Sequence, residues 1–97
     1  MPAYIVLLNW TDQGIRNVKE APQRLDAARE LARQFGVELR AFYLTMGAYD
    51  MVCVAEAPDD QAVAKFALAS AAGGNVRSTT LKAFTEAEYR DIIGALG

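Results

Sequence analysis

Residues 3–8, Ala-Tyr-Ile-Val-Leu-Leu, are apolar at every position, and Asn9-Trp10 end the run. Aromatic and branched residues in so short a run predict a β-strand, and successive side chains of a strand point to opposite faces of its sheet. This strand is therefore apolar on both sides. Residues 51–55, Met-Val-Cys-Val-Ala, repeat the pattern. An antiparallel sheet with one wet face alternates apolar and polar residues, so the fold must cover both faces of this one.

The rest of the chain supplies one cover. Thr11 and Asp12 open a short helical turn carrying Ile15 and Val18. Pro22 restarts the pattern, and Leu25, Ala28, Ala32 and Phe35 then form one helical stripe, with Leu31 beside it, that Gly36 stops. Residues 37–45 predict a second strand, with Leu39, Ala41 and Tyr43 on one face and Phe42 and Leu44 on the other. A short turn, Met46-Gly47-Ala48, leads to a third strand over 49–57, which makes an antiparallel hairpin. Pro58-Asp59-Asp60 opens a second helix with the stripe Val63, Phe66, Ala67 and Ser70, closed by Gly73-Gly74. Residues 75–84 predict a fourth strand. Thr85 and Glu88 form a capping box for a final helix carrying Tyr89, Ile92, Ile93 and Leu96.

The order is β-α-β-β-α-β with a C-terminal helix, over a single domain spanning residues 1–97. That order is the ferredoxin-like split βαβ of the α+β class: a four-stranded antiparallel sheet with the first strand between the third and fourth. Both crossover helices lie on one face. The other apolar face needs a different cover, and a second copy packed sheet on sheet is the economical one. A chain of 97 residues with 53% hydrophobic content, above the usual ~45–50%, agrees with apolar surface that one copy cannot hide.

Composition removes several classes of function. There is no His and a single Cys, so imidazole bases, haem ligation and ordinary transition-metal sites are excluded; the expectation is no metal and no cofactor. The ten Lys and Arg are scattered and the net charge is −2, which leaves no footprint for nucleic acid. No apolar run reaches the ~18 residues of a membrane span. The N-terminus lacks a secretory n-region and one Cys allows no internal disulfide, so a cytoplasmic setting is expected.

The predicted topology gathers polar residues at one end of the sheet. The first strand runs antiparallel to its neighbours, which brings Asn9 and Trp10 beside Tyr49 and Asp50 on one side and Asn75 and Arg77 on the other. In a functional reading, Asn9, Asp50 and Tyr49 are catalytic candidates: an amide donor to an oxyanion, a base and a proton-donating hydroxyl. Trp10, Arg77 and Asn75 are ligand-binding candidates, with the Arg77 fork suited to a carboxylate or enolate. In an architectural reading, Asp50 pairs with Arg77 or caps backbone amides of the turn, and Trp10 and Tyr49 pack at the rim. Cys53, mid-strand between valines, reads as a small core residue.

The stretches "YIVLLNWTDQGIRN", "TMGAYDMV", "EAPDD", "KFAL" and "GNVRSTTLKAF" together resemble the GYD-domain family of small bacterial proteins, in register over essentially the whole chain, with Ala48 in a variable place between Gly47 and Tyr49. The resemblance implies a dimeric α+β barrel, an architecture shared with cofactor-free monooxygenases, isomerases and haem-degrading enzymes. It brings no established activity, and the ligand histidine of the haem-degrading branch is missing here. Three functions follow as expectations: a homodimeric binding module holding a small apolar or anionic molecule between the sheets; a cofactor-independent oxygenase or isomerase acting on an enolisable or phenolic compound; or a structural module without ligand.

Overall fold

A computed structural model describes residues 1–97. Its strands are β1 (Ala3–Trp10), β2 (Glu38–Leu44), β3 (Met51–Glu56) and β4 (Val76–Ala83), and its helices are α1 (Asp12–Arg16), α2 (Ala21–Gln34), α3 (Asp60–Ala72) and α4 (Glu86–Gly94). A single 3-10 turn, Val18–Glu20, joins α1 to α2. The sheet order is β2-β3-β1-β4, and each neighbouring pair is antiparallel. The ferredoxin-like α+β arrangement expected from the patterning is the one observed.

Local chemistry sets the boundaries. The Thr11 side chain accepts the Gly14 N–H at the start of α1, Asp59 accepts the Ala62 N–H at the start of α3, and Thr85 with Glu88 forms a reciprocal capping box on α4. Pro22 sits in the first turn of α2, where its missing N–H leaves no helical bond unmade.

The core lies between the sheet and α2 and α3. Tyr4 and Val6 of β1 and Cys53 and Ala55 of β3 meet Ala32, Val63 and Phe66 there, with Val37 closing the end of α2. Leu39 differs from its expected placement. The β2–β3 register shifts between Leu39 and Ala41, so that Leu39 opposes Ala55 while Ala41 opposes Val54. Arg40 is the extra residue of a β-bulge. The bulge breaks the period of two and turns Leu39 to the helix side with Phe42 and Leu44.

The opposite face of the sheet has no helix over it. Ile5 and Leu7 of β1 stand opposite Val54 and Val52 of β3, Leu81 of β4 flanks Ile5, and Tyr43 of β2 flanks Val52. Leu81 is 47% exposed and Tyr43 61%. The amphipathic α4 is likewise uncovered, with Tyr89, Ile92 and Ile93 all exposed. Its projection lengthens the molecule to 52 × 30 × 17 Å, and the radius of gyration is 14.6 Å. A compact chain of this length has one near ~12.5 Å.

Candidate functional site

At the end of β1 the ladder to β3 stops at Leu8 opposite Met51, one residue short of Asn9. Asp50 continues it with its side chain. The Asp50 N–H donates to the Leu8 carbonyl at 2.9 Å and to Asn9 Oδ1 at 3.1 Å, and Asp50 Oδ2 accepts the Trp10 N–H at 3.0 Å. The loop itself is closed by Thr45, whose N–H donates to the Asp50 carbonyl at 2.8 Å and whose hydroxyl donates to the Tyr49 carbonyl at 2.6 Å. Asp50 therefore caps a strand amide rather than pairing with Arg77, which forms no ion pair.

The other side of this end is built around Asn75. Its carbonyl accepts the Thr11 N–H at 3.0 Å, and its Oδ1 accepts Gln13 Nε2 at 3.1 Å. Gly14 lies so close that a Cβ there would stand 2.0 Å from the Asn75 carbonyl oxygen. Gly14 also receives Arg24, whose Nη2 donates to its carbonyl at 3.1 Å while Nη1 donates to the Asn17 carbonyl at 2.9 Å. Arg24 thereby ties α2 to the turn beside Asn75.

Between the helix-facing side of the sheet and the helices α2 and α3 lies a cavity of about 590 Å³. It is lined mostly by apolar side chains, among them Leu8, Leu25, Leu31, Phe42, Val63 and Phe66. The cause is visible in the helices: Ala21, Ala28, Ala67 and Ala69 stand where larger side chains would fill the space. This apolar space, partly open to solvent, lies on the helix side of the sheet.

Of the six residues singled out from sequence, Trp10 and Asn75 line this cavity. Asn9 and Arg77 pair across β1 and β4 on the uncovered face of the sheet. Asp50 and Tyr49 stand at the strand entrance outside the lining. Ser70, on the expected inward stripe of its helix, also lines the cavity, as do Arg24, Ser78 and Thr80, to which periodicity did not point. The signal in the sequence was a run of alanines on two helices, with Arg24 in the first turn of the earlier one. Cys53 is in the wall, and burial pushes its thiol upward from the usual range, which suits a core residue rather than a nucleophile.

A second polar cluster lies at the far end of the sheet. The Tyr4 hydroxyl donates to Asp60 Oδ1 at 2.5 Å, and Lys82 Nζ stands 3.2 Å from the same oxygen. The bond to Asp60, then burial, push the Tyr4 phenol up to about 12, while the bonds from Tyr4 and Lys82 hold the Asp60 carboxyl below its ordinary value. No set of three His, Cys, Asp or Glu side chains is placed to hold a metal ion, and no helix is long and apolar enough to cross a membrane.

Comparison with known proteins adds three findings. The GYD domain matches residues 4–93. A Thermus thermophilus protein named glutamine synthetase and cystathionine beta-lyase binding protein is 40% identical over 89 residues, 91% of this chain and 94% of the relative. Among solved structures, MtbAldR superposes with a TM-score of 0.67 at 15% identity over 88% of this chain and 52% of its own, so this chain spans about half its length. FFRP-DM1 gives 0.58 at 16% identity over 87% and 100%. The likeness to these two structures is one of fold.

Proposed function

This chain belongs to the GYD domain family, and from that premise we propose that it is a small homodimeric binding protein, cytoplasmic in setting, which holds a small apolar molecule in each helix-side cavity and engages a protein partner. The observation that carries the reading is the contrast between the two ends of the candidate site. The carboxylate best placed for proton transfer, Asp50, is engaged by the Trp10 amide, whereas the large, partly open cavity is lined mostly by apolar side chains with few polar groups. Small-molecule sites of ~300–1,000 Å³ have that character. An oxygenase or isomerase needs a base free to move a proton, and the engagement of Asp50 favours binding over that chemistry.

Homodimer formation is supported by the uncovered face. Ile5, Leu7, Val52 and Val54 form an apolar centre suited to burial by a second sheet, and Tyr89, Ile92 and Ile93 of α4 are a further exposed apolar stripe. The second copy is the occupant that matches a flat, two-sided apolar sheet. The name of the 40% identical relative supports a protein partner.

The test is direct mixing of the purified chain with purified glutamine synthetase and cystathionine beta-lyase from its own source, followed by sedimentation velocity. A saturable complex with either enzyme is expected. Separate sedimentation of both mixtures at tens of micromolar overturns the partner reading.

A further inference from the structure

The cavity has a charge pattern as well as a size. Arg24 is its one charged lining residue; no Asp, Glu or Lys lines it. A guanidinium has five N–H donors. Two bonds, to the Gly14 and Asn17 carbonyls, hold Arg24 in place and leave donors over. Its acidic neighbour Glu20 is 4.0 Å away with a side chain 71% exposed, a pairing that water screens to little.

Gly14 fixes where this charge lies. Its carbonyl takes Arg24 and its Cα abuts Asn75, so Arg24, Asn75 and Trp10 belong to one end of the cavity. From that end the lining runs along β1 from Trp10 to Val6, four residues or about 13 Å of strand. It reaches Phe42 and Cys53, where no charged side chain lines the space and the one cation acting on the Cys53 thiol, Arg29, stands outside the lining. The space is elongated, cationic at one end and apolar at the other.

We propose that this cavity binds an elongated aliphatic carboxylic acid, with the carboxylate at Arg24 and Asn75 and the tail along Val6 toward Phe42. The proposal rests on the ligand-chamber reading above and adds the head group and its direction. An arginine held by two backbone carbonyls is a preorganised partner for a carboxylate, which it meets with parallel N–H donors. A cationic head group finds no counter-charge there.

The test is isothermal titration of the full-length chain with decanoate, decanol and decylamine, each below its micelle concentration. Decanoate is expected to bind at least tenfold tighter than decanol, and decylamine weakest. Arg24→Gln should bring decanoate down to the level of decanol, and Ala67→Phe, which fills the cavity, should remove binding of both. Equal affinity of the wild-type protein for decanoate and decanol, both lost in Ala67→Phe, overturns the head-group assignment and leaves the chamber reading standing. No binding of any of the three overturns both. The wild-type series decides the question by itself if Arg24→Gln unfolds.

Discussion

Tyr4 on β1 and Asp60 on α3 are joined across the sheet–helix interface by a 2.5 Å hydrogen bond in which the phenol donates and the carboxylate accepts. The bond keeps Tyr4 protonated up to about 12 against an ordinary 10.0. Because the folded value lies above the unfolded one, the stability from this bond is fully present below pH 10 and is lost as pH rises toward 12. Asp60 acts in the opposite direction: its carboxyl is depressed, so its contribution is present above 3.8 and fades as the solution is acidified below that. Urea midpoints of wild type and Tyr4→Phe should therefore converge between pH 10 and 12. A constant gap across that window would show that the phenol is not bonded in this way.

Asp50 is expected to act as a strand cap. Asp50→Ala leaves the Trp10 N–H without its acceptor and should cost about 1–2 kcal/mol of stability, whereas Asp50→Asn keeps a carbonyl oxygen in place and should cost less than about 0.5 kcal/mol. Chemical denaturation checks both. A carboxylate needed for its charge or basicity would give the reverse, with Asp50→Asn as damaging to function as Asp50→Ala.

Two glycines separate sterics from conformation. Gly14→Ala drives a Cβ to 2.0 Å from the Asn75 carbonyl oxygen, so backbone must move, and a loss of about 3 kcal/mol or outright failure to fold is expected. Gly47 has open space around it but a φ of 138°, so Gly47→Ala should cost only about 1–2 kcal/mol through backbone strain. Thermal melts of the two variants should rank them in that order.

The elements and their topology were legible in the sequence because apolar spacing records which way each residue points. Continuous apolar runs at 3–8 and 51–55 marked central strands, and Thr85 with Glu88 marked the last helix. Leu39 escaped because a bulge at Arg40 inserts one residue into the period of two, and no composition signal accompanies it. The cavity escaped for another reason. Periodicity shows that Ala28 and Ala67 face inward but not that they are too small to reach the sheet. Asp50 was legible as a polar residue at a strand entrance; its partner, the backbone of Trp10, depends on register and leaves no mark in the sequence.

The uncovered sheet face makes a distinct prediction from the core. Val54→Lys places a charge opposite Ile5 at the centre of that face and should separate the copies without disturbing the helix side, leaving the far-ultraviolet circular dichroism unchanged. Thr85→Ala removes the α4 cap, worth ~1 kcal/mol in helices generally. An analytical dilution series of this variant tests whether the exposed α4 stripe joins the dimer contact: participation raises the dissociation constant about fivefold, and no change removes α4 from the interface.

The apolar second face of the sheet requires enclosure by another copy. Sedimentation equilibrium of the wild-type chain at micromolar concentration tests it most directly. Two chains of 10.6 kDa should sediment as a species of twice that mass, and Val54→Lys should return it to a single chain. A wild-type mass of 10.6 kDa, monodisperse across the dilution series, would contradict it.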